Sequence, residues 1–432
     1  MYDVIIIGAG YGGMSTAALL GEYGKKILVL EGSALKGGRA ASFKDSDGYT
    51  WEYGAHSHRL AHKGIANQVF KKLGEEIEFI PEARDSKLIF KGKVWERPRG
   101  PLEFLSTPML SLKARFTLLL FLLKLKKAHP HDWYEKTLLQ FYRTWFNNKE
   151  VEEFLSFFGM TVMCPDATKV SAGEVIDFLQ RALAAGIGVG EPAGGSAQLF
   201  KKLKKHIDKR GEIRLEEKAV SIIVENGHVR GVVTNNGIYN ANRVVFAARL
   251  PLLLDIIDNS LLSNKLVSYA KNLENSSGLS IDFITHGPAS SIKGSILGVD
   301  IPIWAKFQSN TDASFTPKDK YLSTWGIMLP WKYDGDPAVA EKTEKKLKST
   351  ISHFFPGFLP NIVKERKIVA NVMNGNVLTP GQSKPKRPRV VCDTVQGLYF
   401  VGDTVRGDGC SGDISFSSAI KVADTISGEQ FY

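Results

Sequence analysis

The chain has 432 residues, 43% of them hydrophobic and 23% charged, with a formal net charge of +11. That length exceeds a single ordinary core, so we expect two domains, and the composition excludes a disordered or fibrous chain. The cysteines Cys164, Cys392 and Cys410 are far apart in the sequence, which excludes a disulfide framework and favours a reducing cytoplasm. Because the first residues already form an apolar strand, we also expect no signal peptide.

The first predicted element is a βαβ unit. The strand-like run Val4–Ile7 is followed by glycines in the G-x-G-x-x-G spacing, and a second apolar run ends at Glu31. Gly8 permits the tight turn, Gly10 lets the backbone approach a pyrophosphate, and Gly13 lets the helix lie close to the strand. Glu31 can accept hydrogen bonds from a ribose. The unit therefore predicts a dinucleotide site.

Two further segments indicate which dinucleotide binds, because the first unit contacts only the ADP half that FAD and NAD share. A Gly-Gly-Arg triplet ending at Arg39 suits a backbone that passes close to phosphates and offers them a guanidinium. Near the far end, an apolar strand leads into Gly402 and Asp403, and Asp413 begins a helical run. Asp403 is well placed to bind ribityl hydroxyls, and the helix amides can face a flavin pyrimidine. NAD has no ribityl chain, so FAD is favoured.

These motifs resemble those of the FAD-dependent amine oxidase and phytoene desaturase superfamily. The segment Tyr53-Gly54-Ala55-His56 resembles the part of the family that returns beneath the flavin. Residues 191–195, with the helical and strand-like runs that follow them, resemble the family's re-entry into the FAD domain. The resemblance covers roughly half the chain and is closest to the phytoene dehydrogenase and prolycopene isomerase branch.

The resemblance implies an α/β fold, in which a Rossmann-type FAD-binding domain is interleaved with an α+β substrate domain, as in glutathione-reductase-like flavoproteins of the amine oxidase type. The FAD-binding domain is expected at 1–85, 188–255 and 386–432, and the substrate domain at 86–187 and 256–385. The residues expected to bind the cofactor are Gly8, Ala9, Gly10, Tyr11, Gly12, Gly13, Glu31, Gly32, Gly38, Arg39, Tyr53, Gly54, Ala55, His56, Val220, Gly402, Asp403, Asp413 and Ile414.

Residues 86–130 combine positive charge with an uninterrupted apolar run. Ten basic side chains face two acidic ones, and the apolar run 116–123 has cations at both ends. Eight residues cannot span a bilayer, which needs about 20, and as a helix the run would be apolar nearly all round. It is therefore either a core helix or a monotopic contact with an anionic membrane surface. The basic runs 201–210 and 384–389 are expected to be solvated faces.

The sequence indicates that a flavin, rather than a set of side chains, carries the reaction. It contains no Ser-His-Asp order or carboxylate pair, and no Cys or carboxylate cluster with ligand spacing accompanies its histidine pairs, so we assign no metal. His56 is the one titratable group near a flavin motif; a structural hydrogen bond is its expected role, and the catalytic residues stay unknown. The aromatic residues between 141 and 331 are expected mostly in the core, and any that line a cavity would suit an elongated apolar molecule.

These observations and the resemblance predict an FAD-dependent oxidoreductase that removes a hydride from a lipophilic, polyene- or isoprenoid-like substrate, while a proton leaves the neighbouring carbon. A quinone or dioxygen is the expected oxidant, because no second nucleotide motif is visible. Within the family, a redox-neutral double-bond isomerase and an amine or porphyrinogen oxidase stay open. A flavin-free carrier of prenyl lipids, of the dissociation-inhibitor type, is the non-enzyme alternative. We expect the protein in the cytoplasm or on the inner face of the membrane, without a nucleic-acid partner.

Overall fold

The architecture comes from a computed structural model that describes residues 1–54 and 57–428. The strands are β1 Val4–Ile7, β2 Ile27–Leu30, β3 Ser42–Lys44, β4 Thr50–Glu52, β5 His58–Arg59, β6 Phe79–Pro81, β7 Lys87–Phe90, β8 Lys93–Glu96, β9 Val189–Pro192, β10 Gly211–Arg214, β11 Ala219–Glu225, β12 His228–Thr234, β13 Ile238–Asn240, β14 Val244–Phe246, β15 Ser276–Thr285, β16 Ser295–Gly298, β17 Ile303–Lys306, β18 Tyr321–Met328, β19 Ile362–Asn374 and β20 Leu398–Phe400. The α-helices are α1 Tyr11–Glu22, α2 Ile65–Lys72, α3 Pro101–Ser106, α4 Leu112–Lys127, α5 Leu138–Arg143, α6 Lys149–Thr161, α7 Ala172–Ala185, α8 Ser196–Ile207, α9 Asn264–Lys271, α10 Pro337–Phe354 and α11 Gly412–Ser427.

A five-stranded parallel sheet carries the predicted βαβ unit, in the order β10-β2-β1-β14-β20. Its strands are short continuous apolar runs because both faces of a parallel sheet are covered. In β1, Val4 and Ile6 pack with α1, α2, α8 and α11, whereas Ile5 and Ile7 pack with β11, β12 and α9. The glycine-rich turn after β1 therefore lies at the carboxyl edge of a sheet that is buried on both sides.

A second, seven-stranded sheet has the order β19-β15-β18-β17-β16-β7-β8 and is antiparallel except between β16 and β7. One face is apolar: Leu279, Ile281 and Phe283 of β15 pack against Leu347 and Ile351 of α10. Side chains alternate along a strand, so Asp282 lies on the opposite face. That polar face is the one that approaches β4.

Each of the three segments predicted for the FAD-binding domain contributes strands to the parallel sheet, and both segments predicted for the substrate domain contribute to the seven-stranded sheet. The domain boundaries themselves stay a prediction. The α/β fold class is confirmed by the solved structures reported below.

Helices α3 to α7 form an apolar layer that buries aromatic side chains. Most of the aromatic residues between 141 and 331 are buried, as expected, either in this layer (Phe141, Tyr142, Phe154, Phe157, Phe158) or beneath the seven-stranded sheet (Phe307, Trp325). Residues 116–123 belong to helix α4, which has two different faces. One face packs into the layer and the other is exposed to solvent. The packed residues are Ala114, Leu118, Phe121 and Leu125, and the exposed ones are Leu112, Phe116, Leu120 and Leu123. Within the described part of the chain, no helix has both the length and the hydropathy needed to cross a membrane.

The basic run 384–389 is only in part the solvated face that we expected, because Lys386 and Arg389 are exposed but Arg387 and Lys384 are paired with carboxylates. Arg387 is 1% exposed and forms a 2.7 Å ion pair with Glu174 of α7. Lys384 pairs with Asp408, a residue of the last glycine-rich loop. The prediction was wrong for Arg387 and Lys384 because a count of charges in one segment contains no information about carboxylates that distant segments supply.

Candidate cofactor site

The glycine-rich turn between β1 and α1 has room beside one glycine and none beside another. A Cβ on Gly13 would lie 1.9 Å from the carbonyl oxygen of Gly8, so this position only accepts glycine. A Cβ on Gly10 would meet nothing closer than the Gly37 oxygen at 3.9 Å. Gly13 therefore allows the helix to approach the strand, whereas Gly10 borders an open space.

Two glycines from other segments border open space in the same way. A Cβ on Gly38 would have Gly10 as its nearest neighbour at 3.7 Å, and one on Gly402 would meet nothing within 4 Å. Backbone without side chains is what a diphosphate needs in order to approach the turn closely. Gly12 differs from these, because a Cβ there would lie 2.5 Å from a methyl group of Val401.

The Glu31 carboxylate is fixed at the end of β2 by backbone and hydroxyl donors. One oxygen accepts the amide of Ala9 at 2.9 Å, and the other accepts the amide and hydroxyl of Ser33 at 3.0 and 2.8 Å. Gly32 follows and lies beside Lys218, while Val220 on β11 is 49% exposed. The acid is thus held next to the turn, in the place where the βαβ motif puts a ribose.

Arg39 and Asp403 form a bidentate ion pair with each other, although they are 364 residues apart. The two guanidinium nitrogens lie 2.7 and 2.8 Å from the two carboxylate oxygens, and the amide of Gly375 donates to Asp403 at 2.8 Å. Burial alone would raise the pKa of Asp403, but the Arg39 charge and these hydrogen bonds hold it below its usual value. The residues expected to contact phosphate and ribityl groups are therefore each other's partners.

A second guanidinium lies at this end of the site and was missed by the sequence analysis. Arg249 follows β14 and donates to Asn275 at 3.2 Å, while its Nε is buried without a hydrogen-bond partner in the described structure. Burial, and then the neighbouring Arg39 charge, lower the pKa of Arg249. Two guanidinium groups around the single carboxylate of Asp403 leave a net positive charge, which fits an anionic diphosphate. No local sequence motif predicts that Arg249 lies beside the expected diphosphate.

The segment predicted to return beneath the flavin is described only in part. Ala55 and His56 lie outside the described residues. Tyr53 is 45% exposed, and its amide donates to the Ala41 oxygen at 3.1 Å. Gly54 has a φ of 100°, and a Cβ there would lie 3.9 Å from the Trp304 indole of β17. This segment therefore lies against the seven-stranded sheet.

Glu52, directly before that segment, is a candidate that the sequence analysis missed. The amide of Ser196, at the start of α8, donates to the Glu52 carboxylate at 2.6 Å. Desolvation raises the pKa of Glu52 to about 7 against this hydrogen bond, and the charges of Glu191 and Asp282 add to the rise. The carboxyl consequently changes its protonation state near neutral pH.

The hydroxyl of Tyr11 reaches the same place from α1. It donates to the Ser196 hydroxyl at 3.0 Å and lies 3.4 Å from the His58 ring, while the Tyr11 ring stacks on Phe200 with 5.0 Å between centroids. The side chain of Tyr11 thus belongs to a hydrogen-bond network that joins α1, β5 and α8. Its backbone remains the part that borders the glycine-rich turn.

The last predicted residues lie at the start of α11, as expected. Asp413 is 7% exposed and Ile414 is fully buried. Burial raises the pKa of Asp413 to about 6, although the charges of Arg59 and Arg181 oppose the rise. Cys410, just before them, is buried, and desolvation raises its pKa to about 11. Its thiol therefore stays protonated at neutral pH.

The comparisons with known proteins agree with this geometry. The family model for flavin-containing amine oxidoreductases matches residues 11–427. The chain belongs to that family. This confirms the resemblance stated from the motifs, and FAD is the cofactor of this flavin-containing oxidoreductase.

Individual relatives are more distant. A 15-cis-phytoene desaturase of Solanum lycopersicum is 42% identical over 72 residues, which cover 17% of this chain and 12% of the relative. A prolycopene isomerase of Daucus carota is 26% identical over 289 residues, which cover 55% of this chain and 44% of the relative. The chain thus spans less than half the length of these curated relatives. An oxidoreductase of known structure from Methanosarcina mazei has a TM-score of 0.80 at 19% identity, covering 98% of this chain and 100% of that one, and shows the shared fold.

Proposed function

We propose that this flavin-containing oxidoreductase removes a hydride from a lipophilic substrate of the polyene or isoprenoid class. The observation that carries the proposal is the similarity to a phytoene desaturase and to a prolycopene isomerase. The compounds in these two names, phytoene and prolycopene, are long isoprenoid hydrocarbons. The second match extends over 289 residues, well beyond the length of the glycine-rich motif.

The chain's own residues would hold the cofactor at three places. Glu31 would bind the ribose of the ADP half, and Gly10 would let the diphosphate approach the backbone. Arg39 and Arg249 would balance the diphosphate charge, while Asp403 keeps Arg39 in position and offers an acceptor to the ribityl chain. Bound FAD would accept the hydride from the substrate.

A proton must also leave the carbon next to the one that loses the hydride. Glu52, when ionised, is suited to accepting that proton near pH 7, since its carboxyl has a pKa of about 7 and Glu52 directly precedes the segment predicted to lie beneath the flavin. We propose a quinone or dioxygen as the final oxidant of the reduced cofactor.

The main alternative is a redox-neutral isomerisation of a double bond. It is supported by the prolycopene isomerase, which has the longer of the two matches reported above. Amine and porphyrinogen oxidation remain alternatives through the family as a whole.

The test is anaerobic mixing of FAD-loaded protein with phytoene, prolycopene, putrescine and a porphyrinogen in separate experiments. The proposal predicts loss of the oxidised-flavin absorbance with phytoene, together with new conjugated double bonds in the product. A changed double-bond geometry without net flavin reduction would instead identify an isomerase. Reduction by putrescine or the porphyrinogen alone would overturn the proposal, and purified protein without flavin would favour the lipid carrier.

A further inference from the structure

We propose that the exposed side of α4 docks the enzyme on an anionic lipid membrane. The docking face consists of four apolar side chains that share one side of the helix. They are Leu112, Phe116, Leu120 and Leu123, which are 67, 62, 53 and 47% exposed.

The spacing of these residues makes a continuous stripe. Successive members are four, four and three residues apart, which places them on one side of a helix with 3.6 residues per turn. The buried residues of α4 occupy the other side and fix the helix in the apolar layer. A helix at the surface of a soluble protein normally directs polar residues outward. Here both sides of α4 are apolar, and the inner one is already packed.

Charges border the stripe along both edges. At about 100° per residue, Lys113 and Lys124 lie along one edge, and Arg115 and Lys126 along the other. Helix α4 has no acidic residue, and Lys127 adds a further cation at its C-terminal end. An apolar stripe between rows of basic side chains is the pattern of helices that lie in a membrane interface. Arg115 donates to the carbonyl oxygens of Leu110 and Leu105, whereas the exposed lysines can reach lipid phosphates while the apolar side chains enter the acyl boundary.

An aromatic side chain adds to this surface. Trp145 is 42% exposed, and the Lys124 ammonium lies 5.0 Å from the centre of its ring. Tryptophan is enriched at the level of lipid head groups because its ring is apolar and its N–H is polar. The charge pattern favours anionic lipid over a second copy of this chain, because two such faces would bring their own lysines together.

Docking would give the enzyme access to a substrate dissolved in lipid. That reason rests on the proposed function, whereas the docking face itself is independent of it. Lipid binding is therefore measured without substrate or turnover.

The experiment is co-sedimentation of the FAD-loaded full chain with vesicles of phosphatidylcholine, with and without phosphatidylglycerol. We expect binding to the mixed vesicles that weakens about tenfold or more between roughly 0.1 M and roughly 1 M salt, because salt screens the lysine–phosphate attraction. The variant Leu112→Ser/Phe116→Ser/Leu120→Ser/Leu123→Ser should lose at least about tenfold in vesicle affinity, with its flavin content and melting temperature retained.

Two further variants make the result specific. Leu252→Ser/Ile238→Ser changes side chains that are 50 and 64% exposed outside α4, and it should bind vesicles like the parent. Lys113→Gln/Lys124→Gln should lose the preference for phosphatidylglycerol. If the parent protein binds none of the vesicles, the docking proposal is overturned, while the oxidoreductase proposal stays intact. Unfolding of the four-serine variant would also overturn it, since it would assign these residues to the core. A dimer in analytical ultracentrifugation that the same variant dissociates would assign the face to a second copy instead.

Discussion

The two ends of the cofactor site are built in different ways. At the turn between β1 and α1, the fit depends mainly on glycine backbone without side chains, and the Glu31 carboxylate lies beside it, so one short N-terminal unit supplies most of this end. At the other end it depends on charged side chains, Arg39, Asp403 and Arg249, which three distant segments supply. Adding atoms to its glycines damages the first end, and removing charge damages the second. A local motif therefore shows where the cofactor binds, whereas pairing between side chains from distant segments determines how the charge of the cofactor is balanced.

The largest expected effect is at the glycine that has no space. Gly13→Ala places a Cβ 1.9 Å from the Gly8 oxygen, so the helix must move away from the strand. We expect the free energy of unfolding to fall by about 3 kcal/mol or more. Thermal unfolding with bound and with stripped cofactor measures the loss. An unchanged melting temperature would show that the helix and strand are not packed as closely as described.

The neighbouring Gly10 should respond in the opposite way. Gly10→Val adds atoms to open space, so the folded chain should tolerate the change, while the diphosphate would lose its approach to the backbone. We expect purified Gly10→Val to keep its secondary structure and lack flavin. Circular dichroism and the flavin-to-protein absorbance ratio give the two readings. A fully yellow variant would contradict the assignment of this turn to FAD.

A smaller effect is expected where charge is removed. Asp403→Asn keeps the shape of the side chain but leaves the Arg39 guanidinium without its carboxylate. A hydrogen bond to a charged group contributes about 1.5–3 kcal/mol, so FAD affinity should fall roughly tenfold to a hundredfold. Fluorescence titration of stripped protein with FAD measures it. Asp408→Asn is the matched control, because Asp408 pairs with Lys384 and Lys421 and should leave FAD affinity unchanged.

The last expected effect concerns Glu52 and appears only as a dependence on pH. Its pKa is about 7 in the folded state against an ordinary 4.5. Below pH 4.5 both states are protonated; between 4.5 and 7 only the unfolded state ionises, so this group's contribution to stability falls as the pH rises and is constant above about 7.

The variant Glu52→Gln cannot ionise. Its melting temperature relative to the parent should therefore rise from pH 4.5 to pH 7 and then level off. Asp45→Asn is the control, because hydrogen bonds from Trp51 and Lys364 hold the pKa of Asp45 at about 2 against its burial. The melting-temperature difference between Asp45→Asn and the parent should therefore be nearly constant over this range. If the melting-temperature difference between Glu52→Gln and the parent is also independent of pH, the pKa of Glu52 is not raised.

The features that a short local segment determines could be predicted from the sequence, whereas those that depend on pairing between distant segments could not. Strands β1 and β2 lie where the apolar runs placed them, because a buried parallel strand is recognisable from its own residues. Arg39 and Asp403 were singled out separately, but their pairing joins positions 364 residues apart and has no local signal. The pKa of Glu52 depends on Ser196, Glu191 and Asp282, which come from other elements.

Helix α4 is an intermediate case. The sequence marked the apolar run between cations as either a core helix or a membrane contact, but composition alone could not separate the residues that pack from those that do not. A helix that is apolar on every side shows no periodicity, since its pattern is the same in each direction. Only the neighbouring helices decide which side is inner, and their positions are a property of the whole chain.

The order of strands in the parallel sheet has a consequence for biosynthesis. Among the strands of this sheet, the central strand β1 is synthesised before the others, but its neighbour β14 spans Val244–Phe246, and the edge strand β20 ends at Phe400. The sheet that contains the N-terminal βαβ unit can therefore be completed only after most of the chain has been translated. Contacts of such long sequence separation fold slowly and leave apolar strands exposed to aggregation in the interval. A nascent chain of this protein should accordingly depend on chaperones until β20 has paired.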